Sequence, residues 1–214
     1  MAYIWINPVT ESMYEPKALT EFLQKYGYKQ VWVRKDWLNI VKEKYDVTVK
    51  GASSPVMDVR CPKTKQILDE LGVTSEFTIP AIEPILIHCA REISEREDLK
   101  GDEKVVTTPC QALADMGNAL GFKKTTFMPW NQFLGMFPEP LSVGQLGESP
   151  IPPGFFKGLE LQSKSLMGED EIRAYFQTRS TRDMTDFQLM ELLCCKHGCH
   201  NGDGILATDK RKCE

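Results

Sequence analysis

The chain lacks a long apolar run, an excess of basic residues and an N-terminal targeting pattern. No stretch approaches the roughly 20 apolar residues that a membrane-spanning helix needs. The first six residues carry neither a basic start nor a small-residue cleavage site. The 214 residues include 26 basic and 30 acidic ones, and the net charge of −4 provides no long-range attraction to phosphate backbones. We therefore expect a cytoplasmic protein that binds neither membranes nor nucleic acid.

Cysteine, by contrast, is plentiful and unevenly distributed. Of the seven cysteines, four fall between Cys194 and Cys213. In a reducing cytosol disulfides are rare, and clustered cysteines more often bind metals or take part in catalysis. The end of the chain therefore carries the strongest sign of chemistry.

Strand and helix patterns alternate through the first half of the chain. Short runs rich in β-branched and aromatic residues predict strands at 3–7, 30–33, 56–59 and 104–108. Apolar spacing and stop signals predict helices at 16–26, 37–45, 62–71 and 81–97. Strands and helices that alternate with short connections are typical of a parallel α/β fold.

The second half of the chain has a less regular pattern. Six prolines lie within 124–158, which predicts a long irregular connection with one helical turn near 132–136. Short helices are expected at 168–175 and 186–193. Connections of this kind usually cover a site or a partner surface.

The cysteines near the end of the chain lie among glycines. Cys195 and Cys199 are four residues apart, and Gly198, Gly202 and Gly204 surround them. Thiolates bind iron in cubane clusters, and backbone N–H groups donate hydrogen bonds to the sulfurs. Glycines allow the backbone to approach closely and to adopt positive φ angles. This mixture is what an iron–sulfur cluster requires.

Two upstream cysteines sit next to prolines at predicted strand ends. Cys61 precedes Pro62, and Cys110 follows Pro109. Parallel sheets present their ligands at the carboxyl ends of their strands. Pro62 is suited to the first position of a helix, which would leave Cys61 near the positive helix end and favour its thiolate.

These three motifs, in this order, resemble the signatures of iron-only hydrogenases. The family's active site is carried by TSCCP, PCxxKK and ExxxCxxGCxxGGG, and the corresponding segments here are 59–62, 108–113 and 191–204. The similarity covers 54–205, with 122–182 only loosely comparable. It implies an iron-only-hydrogenase-like α/β fold of two small lobes, whose parallel strands flank one cluster. It also implies that one 4Fe–4S cluster is bound by four cysteines: Cys61, Cys110, Cys195 and Cys199.

The departures from the family pattern concern its di-iron site. Arg60 replaces a cysteine that relays protons, and Leu113 replaces a lysine that holds a cyanide ligand. An arginine does not give up its proton near neutral pH, and a leucine has no donor. Asp203 also interrupts the last glycine run. The resemblance therefore implies a retained cubane and a lost di-iron centre, with Cys199 as a plain cubane ligand.

On this basis we expect a single hydrogenase-like iron–sulfur domain in four segments. These are an N-terminal α/β segment (1–50), a first half of the cluster site (51–123), an irregular connection (124–185) and a C-terminal cluster motif (186–214).

Several residues allow a second interpretation. His197 and His200 lie among the cysteines, so a zinc site is an alternative to the cluster. Cys89 and Cys194 are expected to be core thiols. Cys213 is expected to be free or to serve a metal held with a partner. Two further groups are read either as partner surfaces or as ordinary structure: the apolar Trp130, Phe133, Met136 and Phe137, and the acidic Glu92, Glu95, Glu97 and Asp98.

The function expected from these features is electron transfer, or a redox subunit without hydrogenase activity. Its partner would be a redox protein or a larger oxidoreductase complex. One alternative is an enzyme that binds a small ligand in the vacant di-iron pocket, near Arg60, His197 and Asp203. Another is a redox or oxygen sensor, or an assembly factor.

Overall fold

The structure, a computed structural model, describes residues 2–142, 145–146, 149–179, 186–196, 198–199 and 205–206. Helices occupy α1 (Pro8–Glu11), α2 (Pro16–Lys25), α3 (Trp37–Gly51), α4 (Pro62–Leu71), α5 (Ile85–Glu95), α6 (Gln111–Ala119), α7 (Trp130–Leu134) and α8 (Glu169–Thr178). Strands occupy β1 (Ala2–Trp5), β2 (Tyr28–Gln30), β3 (Val56–Asp58), β4 (Glu103–Thr108), β5 (Thr125–Pro129), β6 (Gln145–Leu146), β7 (Ser163–Met167), β8 (Leu189–Leu193) and β9 (Ile205–Leu206).

The first sheet is parallel and has the strand order β2-β1-β4-β5. One face packs Ile4 against the side chains of α2 and α7, including Leu23 and Trp130. The other face packs Val106 against α5 and α6, including Ile87. Parallel strands buried on both faces read as nearly continuous apolar runs, which is why β1 and β4 were recognisable in the sequence.

The second sheet is also parallel and has the order β3-β8-β7. One face packs Met57 and Met190 against α4 and α8. The other packs Val56 and Leu189 against α3 and the aromatic ring of Phe156. The short strands β6 and β9 pair in parallel as a separate ribbon. The predicted α/β class with parallel strands is confirmed.

The predicted helix at 186–193 is wrong, because this segment forms β8, the central strand of the second sheet. The sequence of β8, Leu-Met-Glu-Leu-Leu, favours a helix on intrinsic propensity. Burial between two neighbouring strands overrides that preference, and short apolar runs do not distinguish the two structures by periodicity.

The irregular connection predicted for 124–158 is also partly wrong. Its first residues form β5 and α7, so the helical turn expected near 132–136 begins earlier. Strand β7 was missed as well. The sheet order explains the errors, because β5 and β7 are edge strands whose polar residues weaken the apolar pattern.

Two further boundaries differ from the sequence predictions. Helix α5 starts at Ile85 rather than at 81, because Pro84 occupies the position before the helix in an extended conformation. Strand β2 ends earlier than predicted: the Val31 N–H still donates to the Ile4 carbonyl oxygen at 2.9 Å, and the chain then leaves the sheet. Trp32 is 61% exposed as a result.

The helices α2, α3, α4 and α8 lie close to their predicted positions, and α4 stops at Gly72 as expected. Across the described ranges, no helix combines the length and apolar character needed to cross a membrane.

Candidate functional site

Cys61 and Cys195 follow neighbouring strands of the second sheet. Asp58 of β3 lies opposite Glu191 of β8 in the parallel register. Cys61 comes three residues after Asp58, and Cys195 comes four residues after Glu191. Because the two strands run in the same direction, both cysteines emerge where the carboxyl ends of the strands of the second sheet lie. This is the arrangement that the sequence predicted for Cys61.

Cys61 and Cys110 each occupy the position just before a helix. Cys61 precedes α4 and Cys110 precedes α6, and neither side chain caps the backbone of its helix. The two helices contact each other, so the first sheet contributes its cysteine next to the second. Helix N-termini carry unpaired N–H groups and partial positive charge, which stabilises a thiolate. Pro62 takes the first helical position, as predicted.

The turn that holds Cys199 requires a glycine. Gly198 has a φ angle of 116°, in the region that side chains avoid. A Cβ atom there would collide with the Ile151 carbonyl oxygen and approach Ser149 to 2.9 Å. The same carbonyl accepts the Cys199 N–H at 3.0 Å, and the Ser149 hydroxyl donates to the Cys199 carbonyl oxygen at 3.3 Å. The positive φ angle expected of a glycine in this motif is present at Gly198, where the backbone lies against Ile151 and Ser149.

Other members of the C-terminal motif lie outside the described residues. These are His197, His200, Gly202, Asp203, Gly204 and Cys213.

A buried carboxylate fastens the loop around Phe155 to the strand that leads to Cys195. Glu191 is only 2% exposed. Its oxygens accept the N–H groups of Gly154 at 2.7 Å and Phe155 at 2.9 Å, and the hydroxyl of Ser165 at 2.6 Å. A buried carboxylate with three donors is well satisfied. Glu191 therefore has a clear structural role in addition to its place in the motif.

Asp58 holds Arg60 inside the protein. The Asp58 carboxylate accepts two bonds from the Arg60 guanidinium, at 2.8 and 2.6 Å, and one from the Tyr45 hydroxyl at 2.8 Å. The guanidinium also lies over the Phe155 ring, 4.1 Å from its centre. Burial lowers the pKa of Arg60, but the charge and hydrogen bonds of Asp58, with smaller contributions from Tyr45 and Glu191, together outweigh burial and keep that pKa above its ordinary value. Arg60 is thus a permanently charged, internally paired side chain.

Burial, and then the charge of Asp58, raises the pKa of the Tyr45 hydroxyl. The hydroxyl therefore stays protonated and serves as a donor to Asp58. Asp58 and Glu191 lie side by side on the face of the second sheet that meets α3. The charged groups on this face therefore adjoin the aromatic rings of Tyr45 and Phe156.

Several sequence expectations for individual residues are confirmed. Cys89 and Cys194 are buried in the cores of the first and second sheets. Burial, with a smaller contribution from Glu92, raises the pKa of the Cys89 thiol to about 12, so this thiol is inert near neutral pH. Leu113, whose burial was not predicted, packs into the core of the first sheet.

The sequence allowed two interpretations for the apolar group at 130–137 and for the acidic group at 92–98, and the structure gives the position of each. Trp130 and Phe133 are fully buried, which favours core packing, whereas Met136 is exposed. In the acidic run, Glu92 accepts the Trp37 indole N–H at 2.7 Å and the Arg34 backbone N–H at 2.6 Å. Glu92 therefore ties α5 to the loop before α3.

Within the described part of the chain, the buried polar atoms without a hydrogen-bond partner include Oγ1 of Thr64, in the first turn of α4, and Nε2 of His88, in α5. Such atoms are rare in folded proteins and call for a physical reason.

Sequence reasoning missed Asp58, Tyr45, Ser165 and Thr64. A signal existed for Asp58, since an acidic residue ends the apolar run of β3 at its carboxyl end. Nothing in the sequence marked the other three, because their roles depend on which strands and helices become neighbours.

The donor set suits soft metals. Thiolates select iron–sulfur clusters and zinc, and carboxylates are paired elsewhere at this edge. Among the side chains that the structure describes, no three of the His, Cys, Asp and Glu type converge closely enough to hold a metal ion. The chain matches no protein-family model and no curated protein sequence.

Proposed function

We propose that this protein binds one 4Fe–4S cluster and acts in electron transfer, alone or as a redox subunit, without hydrogenase activity. The proposed ligands are Cys61, Cys110, Cys195 and Cys199. The observation that carries the proposal is that Cys61 and Cys195 emerge from adjacent parallel strands, while Cys110 begins a helix that contacts the helix after Cys61. The two parallel sheets would correspond to two small lobes of an iron-only-hydrogenase-like fold.

No three of the four cysteines, all of them within the described residues, converge closely enough to hold a metal ion. Three features of individual residues support the proposal. Two of the cysteines sit at positively polarised helix ends. Gly198 permits the tight turn before Cys199, which packs against Ile151 and Ser149. Thr64 supplies a buried hydroxyl that lacks a partner. When bound, a cluster with four thiolate ligands supplies a one-electron couple.

Two residues support the absence of hydrogen chemistry. The Arg60 guanidinium is paired with Asp58 and lies against the Phe155 ring, and it stays protonated near neutral pH. Leu113 points its side chain into the core of the first sheet. Arg60 therefore offers no proton relay, and Leu113 offers no donor to a di-iron unit. The partner would be a redox protein or a larger oxidoreductase complex.

An oxygen-free redox titration followed by EPR tests this function. We expect one reversible one-electron couple and no hydrogen production with reduced mediators. Serine in place of Cys61, Cys110, Cys195 or Cys199, singly, should abolish or strongly change the signal. The matched control Cys89→Ser should leave it unchanged, because Cys89 lies in the core. A signal that survives all four ligand variants, or hydrogen turnover by the wild type, would refute the proposal.

A further inference from the structure

Strand β2 is an open edge of the first sheet. Among the strands that the structure describes, β2 pairs with β1 alone, in the order β2-β1-β4-β5. The Val31 N–H donates to the Ile4 carbonyl oxygen at 2.9 Å. Because successive residues of a strand turn their backbone groups to opposite sides, the N–H and the carbonyl of Gln30 face away from β1. An edge of this kind is a template for one further strand.

A groove of about 420 Å³ adjoins this edge, and we call it the β2 groove. All three residues of β2 line it, so the groove follows the strand. Helix α2 contributes Thr20, Leu23 and Gln24, which share one side of the helix because residues three and four apart are neighbours. Gly27 and Trp32 complete the lining. The shape suits a segment of chain that runs beside β2.

Trp32 offers an aromatic anchor whose backbone is already fixed. The residue is 61% exposed. The Arg96 guanidinium donates to the Trp32 carbonyl oxygen at 2.8 Å, and the Asp98 carboxylate accepts two further bonds from Arg96 at 3.0 and 2.6 Å. Tryptophans are frequent among the residues that dominate binding energies, and a fixed backbone reduces the entropy lost on binding.

The charge of the β2 groove selects its occupant. Among the described residues that line the groove, Lys29 alone is charged. Opposite charges on neighbouring strands are favourable, and like charges are unfavourable. Lys29 is the central residue of β2, so a symmetric antiparallel pairing of two β2 strands would place it against its own copy. The groove therefore disfavours a second copy of this chain and favours an acidic strand.

We propose that the β2 groove binds an extended, acidic segment of a partner protein, which adds to the first sheet as a fifth strand. A carboxylate of the segment lies opposite Lys29, its backbone bonds to Gln30, and one of its side chains contacts Trp32. In this mode of recognition the main-chain bonds provide affinity and the side-chain contacts provide specificity. The proposal does not depend on a bound cluster, so it and the proposed function can fail separately.

Two blocked nine-residue peptides of alternating threonine and valine serve as probes, one with a central aspartate and one with a central lysine. NMR titrations follow the backbone amides of β2. We expect the aspartate peptide to bind about fivefold more tightly than the lysine peptide and to slow hydrogen exchange of the Gln30 N–H. Lys29→Glu should reverse this order. The control Lys65→Glu makes the same charge change on α4, at an exposed pair with Asp69, and should preserve it.

Two further variants test the edge and the anchor. Gln30→Pro removes the outward N–H and spares the bonds to β1. Trp32→Ala removes the ring, and each variant should weaken binding of the aspartate peptide about tenfold. Circular dichroism checks folding; if Gln30→Pro does not fold, Trp32→Ala and Lys29→Glu decide the test. Absence of binding to wild type, or equal binding of the two peptides, would overturn the proposal. Wild-type dimers in sedimentation that Trp32→Ala or Lys29→Glu changes would assign the edge to a second copy and overturn it as well.

Discussion

At the scale of single residues, Arg60 shows how a charge is kept in the interior. Its side chain is 13% exposed and that of Asp58 3%, and the guanidinium also attracts the nearby Glu191. Removing one partner of a buried pair leaves the other charge uncompensated, which costs more than the pair itself contributes.

We therefore expect Arg60→Met to lower the free energy of unfolding by about 3–5 kcal/mol. Urea denaturation followed by circular dichroism measures this change. Arg34→Met is a matched control, because Arg34 pairs with Asp98 on the surface and exposed pairs contribute less than about 1 kcal/mol. Similar losses in the two variants would contradict the account of the buried pair.

Gly198 permits a second prediction at this scale. Alanine there would meet both the Ile151 carbonyl oxygen and an unfavourable φ angle. We expect Gly198→Ala to destabilise the protein by about 1–3 kcal/mol and to reduce iron incorporation. Gly51→Ala is the control: Gly51 ends α3, has open space around it, and should be neutral or stabilising by up to about 1 kcal/mol. Iron content measured after reconstitution, together with urea denaturation, separates the two variants.

For single residues, the sequence was informative where the chemically important side chains lie within a short motif. The place of Cys61 at a helix start and that of Cys110 just after a strand followed from the neighbouring prolines and the strand patterns. The partners of Glu191 did not, because Gly154 and Ser165 reach it from distant parts of the chain. Contacts of that kind depend on the sheet order, which local patterns do not encode.

At the scale of elements, β8 is the clearest departure from local preference. Its residues favour a helix, yet it pairs with β3 and β7 on both sides. The hydrogen bonds of Glu191 offset the cost of placing a carboxylate in a central strand. Helices with strong caps or stops, such as α4, were predictable because their signals are local.

The contact between α3 and α5 supports a prediction about pH. His88 of α5 stacks on Trp37 at the start of α3, with ring centres 4.9 Å apart. Burial is the main cause that lowers the pKa of His88; Lys44, Arg91 and Arg60 lower it further, while Glu83 opposes them. Just below the ordinary pKa of histidine, His88 therefore binds a proton more readily in the unfolded chain than in the folded protein.

Because the unfolded state binds more protons in this range, stability should fall as the pH drops below about 6.5, the ordinary pKa of histidine. His88→Phe preserves a ring against Trp37 and cannot titrate, so its stability should depend less on pH. Urea midpoints of the two proteins at several pH values above and below about 6.5 measure the difference. Parallel pH profiles would show that His88 does not contribute.

At the scale of the whole molecule, the two sheets draw their strands from interleaved parts of the chain. The first sheet takes strands from 2–30 and 103–129, and the second takes them from 56–58, 163–167 and 189–193. The sequence predicted alternating strands and helices but not this division, because register and neighbours are set by long-range packing. The result is that cysteines far apart in sequence follow strands and helices that are neighbours in space.

The most direct test of the central claim is the metal and sulfide content of the protein purified without oxygen. The account predicts about four irons and four acid-labile sulfides per chain, with a reduced cubane signal in EPR after dithionite. Zinc without sulfide would contradict it and would indicate a mixed cysteine site of another kind.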